Sequence, residues 1–222
     1  MLSAIRANKL YEVMKMENGT EKYMETVKYL ARLYDSCNTG LFDGELIRPV
    51  ITVQRDERNK TNGWWTVKKV WKENAEDEGE HELNMTAQQL NRPIYELAAT
   101  MIHEMCHQYA SVHNMQDTSR SGNYHNKLFK KIAETHGLTV ECEKTVGWSH
   151  TELTYETKRL IDNFKADYPD FAVICRMPVM KGQAVRNTST RKYICPECGN
   201  SVRATKEVRI LCVDCNELMQ EE

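Results

Sequence analysis

The sequence predicts an α+β domain followed by a small cysteine-rich ribbon, and three observations carry that prediction. Stretches with helical periodicity flank a group of short β-prone segments between residues 50 and 86. The run His103-Glu104-Met105-Cys106-His107 falls inside the most regular of the helical stretches. Two Cys-x-x-Cys pairs, Cys195/Cys198 and Cys212/Cys215, follow at the far end.

Taken in order, TEKYMETVKYLARLYDSC (20–37) places Tyr23, Val27, Leu30, Ala31 and Tyr34 on one helical face, and a further helix is expected before Gly19. NTGLFDGELIRP, rich in Gly, Asn and Asp, reads as a loop. VITVQ (50–54), GWWTVKKVW (63–71) and HELNMT (81–86) have β character and are expected to form a small antiparallel sheet. The acidic run ENAEDEGE (73–80) then reads as a solvated hairpin loop. In NRPIYELAATMIHEMCHQYASV, Ile94, Leu97, Ala98, Met101, Ile102, Met105, Cys106 and Tyr109 recur every three or four residues. Asn91 is the expected N-cap there, and Pro93 fits only a first turn. NMQDTSRSGN reads as a polar loop. YHNKLFKKIAETHG resumes as helix from His125, with Leu128, Phe129 and Ile132 on the same face and Gly137 as the stop. TYETKRLIDNFKADY is the last helix, ending before Pro169, and RMPVMKGQAVRNTSTR has no period and reads as a linker. The expected division is a main domain over 1–175, a basic linker over 176–192 and a ribbon over 193–222.

Composition sets outer limits. Hydrophobic residues make up 41% and charged residues 28% of the 222, as in ordinary globular chains. No apolar run of about 18 residues is present, so no membrane span is expected. The first residues lack the apolar core of a signal peptide, which makes a cytoplasmic location the expectation. A net charge of −2 argues against nucleic-acid binding by the surface as a whole. Between Arg176 and Cys212, however, eight Lys/Arg stand against Glu197 and Glu207. That excess suits either a solvated linker and ribbon or a tail that contacts DNA phosphates. Cys37, Cys106, Cys142 and Cys175, each isolated, read as small buried hydrophobes.

His103 and His107 are four residues apart, so a helix stacks their imidazoles on one side, as two ligands of a single ion must be. Glu104 lies about 100° around the helix, where a carboxylate can take a proton from a metal-activated water and return it to a leaving amine. A catalytic zinc site needs a third protein ligand. His113 completes the spacing HExxHxxGxxH except that Ala110 stands where that pattern has glycine. Alanine resists the left-handed turn that would bring His113 back, so His113 is expected to be exposed. His125, held at the start of the next helix, fits better. Glu134 is a third option, more naturally a surface charge.

HEMCH, the polar loop and GNYHNKLFKKIAETHGL together resemble the SprT-like metalloprotease family. NTGLFDGELIRPVITV and HELNMTAQQL are similar to that family's entry into its first strand and to the strand before its active helix. The resemblance covers roughly residues 20–137. It implies a zincin-like domain in which His103, His107 and His125 bind catalytic zinc and Glu104 is the base. Asn126 stands where the family often has glycine, while Phe129 keeps the expected spacing.

Cys195, Cys198, Cys212 and Cys215 have the spacing of a closed, four-thiolate structural zinc site, with 13 residues between the pairs. Val202, Ala204, Val208 and Ile210 alternate between them as a hairpin would. Two zinc ions, one catalytic and one structural, are therefore expected. The function that follows is a zinc endopeptidase acting on protein substrates, and the resemblance adds work on proteins associated with DNA. The alternatives are a DNA-binding zinc module without protease activity and a zinc hydrolase of another amide. Glu104 separates the first alternative, since a structural site has no use for a carboxylate there. Tyr109, Tyr124 and Trp148 read as packing residues rather than oxyanion donors, and His81, His136 and His150 as surface or packing histidines.

Overall fold

A computed structural model describes residues 19–57, 60–169, 173–177 and 190–222. The chain divides into two compact units, Met1–Pro178 and Val179–Glu222. The helix expected before Gly19 and most of the expected linker (178–189) lie outside the described residues. No described helix is long and apolar enough to cross a membrane.

The first unit opens with helix α1 (Gly19–Leu41). Its buried stripe is Thr26, Tyr29, Leu30, Leu33, Tyr34, Cys37 and Asn38. The stripe is thus rotated from the expected one, and Tyr23 is 41% exposed. The helix also continues through four residues expected to be loop. Asn38 explains this: its amide donates to the Leu46 carbonyl at 2.8 Å and accepts the Leu46 N–H at 3.2 Å. The side chain thereby pins the returning chain, and the turn moves beyond Leu41.

Strands β1 (Val50–Thr52), β2 (Gly63–Trp65) and β3 (Glu82–Met85) form a sheet in the order β1-β3-β2. The expected antiparallel sheet is instead mixed, because β1 runs parallel to β3. β3 is buried on both faces and takes the centre, which leaves β2 on an edge. Leu83 and Met85 face the core. Glu82, on the other face, accepts hydrogen bonds from the Trp64 and Trp71 indoles at 2.8 and 2.7 Å and from the Gln54 amide at 2.8 Å. A buried carboxylate is tolerable with that many donors, and the bonds hold the 66–80 segment against the sheet. Only Trp71, bridged to Glu80, continues the expected second strand.

After a 3₁₀ turn (Ala87–Gln89) comes helix α2 (Ile94–Val112). Pro93, not Asn91, occupies its N-cap and gives no side-chain bond. Leu97, Ala98, Met101, Ile102, Met105 and Cys106 are buried in the core. The loop before the next helix contains a small hairpin, β4 (Thr118–Ser119) and β5 (Tyr124–His125). His125 therefore sits on a strand rather than at a helix start. Helix α3 runs Lys127–Thr135, capped by Asn126, whose side chain accepts from the N–H groups of Leu128 and Phe129; such a cap contributes about 1 kcal/mol.

Two strands follow that the sequence did not announce, β6 (Leu138–Glu143) and β7 (Gly147–Leu153). They complete a sheet of order β4-β5-β7-β6. Helix α4 (Tyr155–Asp167) packs Ile161 and Phe164 into the core, Phe164 meeting Tyr29 edge-on at 4.9 Å. Of the isolated cysteines, Cys37 and Cys106 are buried as expected, whereas Cys142 is exposed and Cys175 half-buried. Cys142 lies at the bulge where the β6–β7 register slips, so its side chain leaves the core face.

In the second unit, β8 (Arg191–Ile194) pairs with β9 (Ser201–Ala204) and with β12 (Gln220–Glu221), while β10 (Leu211–Cys212) pairs with β11 (Glu217–Leu218). The hairpin is thus built from 191–194 and 201–204, not from 202–204 and 208–210. The first knuckle, Cys195–Cys198, supplies the turn that joins them.

Candidate metal centre

Three imidazoles converge where α2 meets β5. His103 and His107 extend from the same side of α2, and His125 arrives from the end of the β4–β5 hairpin. The Nε2 atoms of His103 and His107 each lie 3.1 Å from Nε2 of His125. The side chain of Phe129, fully buried, lies against all three rings at centroid distances of 4.7, 4.8 and 4.6 Å. Gly147 lets the hairpin come in this close. At φ +74° it pairs with His125, and a Cβ there would stand 2.1 Å from the His125 carbonyl oxygen.

Every outward ring nitrogen has a partner. His107 Nδ1 donates to the Asp117 carboxylate at 2.5 Å, and His125 Nδ1 donates to the Val146 carbonyl at 3.2 Å. His103 Nδ1 meets the Thr151 hydroxyl at 3.2 Å. A proton on Nδ1 leaves the lone pair on Nε2, so Asp117 and Val146 turn the acceptor nitrogens of His107 and His125 inward, and the Thr151 hydroxyl can accept from His103 to the same effect. Lone pairs so aimed repel unless a cation lies among them. Tetrahedral Zn–N bonds of about 2.0–2.1 Å imply N···N edges of about 3.3 Å, close to the spacing found. The donor set therefore fits a divalent ion of zinc type, with the remaining position facing a cleft.

Burial and the charges of neighbouring imidazoles hold His103 well below the usual histidine range, and His125 is lowered by burial and by His107. Neutral rings keep their lone pairs available. Burial works the same way on His107, but the Asp117 hydrogen bond and the Glu104 charge outweigh it and move His107 upward.

Glu104 is 7% exposed. Burial pushes its carboxyl up to about 7, against the opposing pull of His107 and of the Trp65 backbone N–H that bonds it. Gly63 brings β2 this near: a Cβ at that position would lie 2.7 Å from the Asn84 carbonyl oxygen and 3.5 Å from Glu104 Cγ. The cleft, about 1250 Å³, is lined by β2, by the exposed side of α2 and by β7.

His113 stands apart from this cluster. Helix α2 continues past the buried Ala110, and the chain turns left-handed only at Asn114, φ 52°. His113 ends on the surface, its Nε2 2.8 Å from Glu45. Glu134 is engaged by Lys130 on the outside of α3. Tyr109 packs on Phe42 and His136, Tyr124 lies under Arg120 and Trp148 under Lys130; none of the three lines the cleft.

Asp117, Thr151 and the Val146 carbonyl had no place in the sequence reading. Asp117 lies in a polar loop where aspartate is commonplace, and only the habit of carboxylates backing metal-bound histidines could have raised it. Replacing Asp117 with Asn is expected to weaken zinc binding about 10–100-fold, measured by competition with a chromophoric chelator. Unchanged affinity would mean that the bond does not orient His107.

In the second unit, ligand atoms of Cys195, Cys198, Cys212 and Cys215 lie within 4.8 Å of one another. Cys198 Sγ is 3.6 Å from Cys212 Sγ, near the edge of about 3.8 Å expected for four Zn–S bonds of about 2.3 Å. Cys195 is drawn down to about 7, chiefly by the Cys198 N–H, while Cys215 is pushed up to about 12, first by the Cys198 side chain. Four thiols this close do not ionise together without a cation. Arg191 is paired with Glu221, and Lys192 with Glu222, on the strand beside them.

A family model described as the SprT-like family matches residues 30–148, more than half of the chain, a span that includes α2, the hairpin, α3, all of β6 and the first two residues of β7. No curated protein and no solved structure matches the chain.

Proposed function

The chain belongs to the SprT-like family, and from that premise we propose that it is a zinc-dependent endopeptidase with a zincin-like catalytic domain over 1–175, a basic linker over 176–192 and a zinc ribbon over 193–222. The observation that carries the reading is the placing of Glu104 beside three imidazoles whose acceptor nitrogens converge. His103, His107 and His125 would hold the catalytic ion, and Cys195, Cys198, Cys212 and Cys215 a structural one. The catalytic ion supplies Lewis acidity, which makes water acidic near neutral pH and polarises a carbonyl.

Glu104 accepts the proton of the attacking water and passes it to the leaving amine. Its carboxyl, raised to about 7 by burial, is poised to do both. The Trp65 N–H fixes one carboxylate oxygen, and Asp117 holds His107 in the useful tautomer. The size of the cleft favours a peptide over a small amide: at about 1250 Å³ it exceeds the roughly 300–1,000 Å³ usual for small-molecule sites.

Protein substrates associated with DNA are the proposed targets. The charge excess between Arg176 and Cys212 supports this. Arg191 and Lys192 are already paired, but exposed pairs are worth only about 0–1 kcal/mol and yield readily to phosphate. The test is proteolysis of a DNA-binding protein with and without single-stranded DNA. Cleavage that requires DNA is expected. Cleavage indifferent to DNA would retain the protease and remove the DNA association; no cleavage by zinc-loaded protein would favour a binding module.

A further inference from the structure

The cleft extends beyond the imidazoles to the N-terminal end of α2, where Arg92, Tyr95, Glu96 and Thr100 line it. Arg92 differs from its neighbours in being a charge that is mostly covered. Its side chain is 17% exposed, against 57% for that of Glu96. Arg92 Nε donates to the Gln89 carbonyl at 3.0 Å, and Nη2 donates to Thr100 Oγ1 at 3.0 Å. Thr100 is free to accept because its own hydroxyl proton goes to the Glu96 carbonyl, 3.1 Å away.

A guanidinium carries five N–H groups, so two hydrogen bonds leave more than half of its donors over. Among the described residues, the carboxylate paired with it is that of Glu96, whose Oε2 lies 3.9 Å from Nη1, beyond hydrogen-bond length. Burial draws the Arg92 pKa below the usual arginine value, and the Glu96 charge recovers only part of the loss. A covered cation is costly unless a counter-charge meets it closely. Arg92 is therefore anchored at two points and short of a close partner.

The anchor at Thr100 sets the distance to the chemistry. Thr100 precedes Glu104 by four residues, about 6 Å along the helix. Both lie beside Gly63, where a Cβ would stand 3.1 Å from Thr100 Cγ2 and 3.5 Å from Glu104 Cγ. An extended peptide advances about 3.3 Å per residue. A group that meets Arg92 thus belongs to a residue within about three of the bond that Glu104 serves.

We propose that Arg92 forms a carboxylate subsite in the cleft, which recognises an acidic side chain, or the free carboxyl end of a chain, near the bond that is cut. The planar fork of arginine meets a carboxylate with two parallel hydrogen bonds. The incoming group displaces Glu96, whose long and largely exposed pairing is weak. Lys60 and Lys158 also line the cleft, but so do Glu96, Asp117 and Glu152, so it is no channel for a run of phosphates. One carboxylate needs only one cation. The inference rests on the protease reading and adds a preference for what flanks the cut.

The test is a positional scan. A cleaved parent peptide is remade with Glu or Gln at each of three positions on either side of the scissile bond. A second set is shortened to end at those positions with a free or an amidated carboxyl. The ratio of kcat/KM between charged and neutral peptides is read within each variant, so that a general loss of rate cancels. At one position the unaltered chain should prefer the carboxylate about tenfold. Arg92→Gln should bring that ratio to about one, and Glu96→Gln, which removes the competing carboxylate, should raise it. A response confined to the second set would make chain ends the source of the carboxylate. No preference in either set, or one that persists in Arg92→Gln, overturns the subsite while the protease stands. If Arg92→Gln does not fold, Glu96→Gln decides alone, and a ratio that stays level or falls overturns the subsite. Peptides neither cut by the zinc-loaded protein nor bound by zinc-loaded Glu104→Gln would remove the protease reading, and this inference with it.

Discussion

Glu104→Gln is expected to lower kcat by about 10²–10⁴-fold while leaving the zinc content unchanged. Glutamine keeps the shape of the side chain and can still accept the Trp65 N–H. It cannot take a proton from water. The metal should be unaffected because the converging acceptors are the three imidazoles, and Glu104 approaches the cleft from the next position around α2. Metal analysis beside a peptide-cleavage assay checks both halves. A variant that kept its activity would show that Glu104 is not the base, and one that lost its zinc would make Glu104 part of the binding site.

His125→Ala is expected to remove the ion bound at the imidazole cluster and to abolish turnover, whereas His113→Ala should do neither. Two imidazoles on one helix leave a site half open to water, and the hairpin residue is what closes it. His113 contributes only an exposed pair with Glu45, worth about 0–1 kcal/mol. Zinc stoichiometry by elemental analysis should fall from about two to about one per chain in the first variant. Loss of metal from His113→Ala instead would falsify the assignment of the third ligand.

Much of this arrangement was legible because helices announce themselves through period. The stripe of Leu97, Met101, Ile102 and Met105 located α2, and the i, i+4 histidines were read on it. Ala110 gave a physical reason for His113 to stay outside, and the structure keeps the helix going there. The missing sheet had no such signal. β6 and β7 read LTVECE and GWSHTEL, too polar along most of their length to stand out, and their pairing is set by a bulge and by Gly147. The place of His125 illustrates the limit: the helical stripe of Leu128, Phe129 and Ile132 was real, but Asn126 caps the helix one residue after the histidine and leaves it on a strand. Asp117 was invisible for another reason. Its role depends on a distance across space, and no spacing along the chain encodes it.

The hairpin that carries His125 has little of its own to hold it closed. Its strands are two residues each, and Arg120, Ser121 and Gly122 at its tip are all left-handed, a conformation that costs the first two free energy. Its anchors include the Asp117–His107 bond, the bonds of His125 to the Val146 carbonyl, the Asn126 side chain and the imidazole cluster itself. Such a segment opens locally at far lower cost than the core behind it. An ion shared between α2 and the hairpin would add its binding free energy to closure. Metal occupancy would then set how often these residues exchange amide hydrogens or are cut by a protease, so that the protein's own lifetime would depend on the supply of that metal.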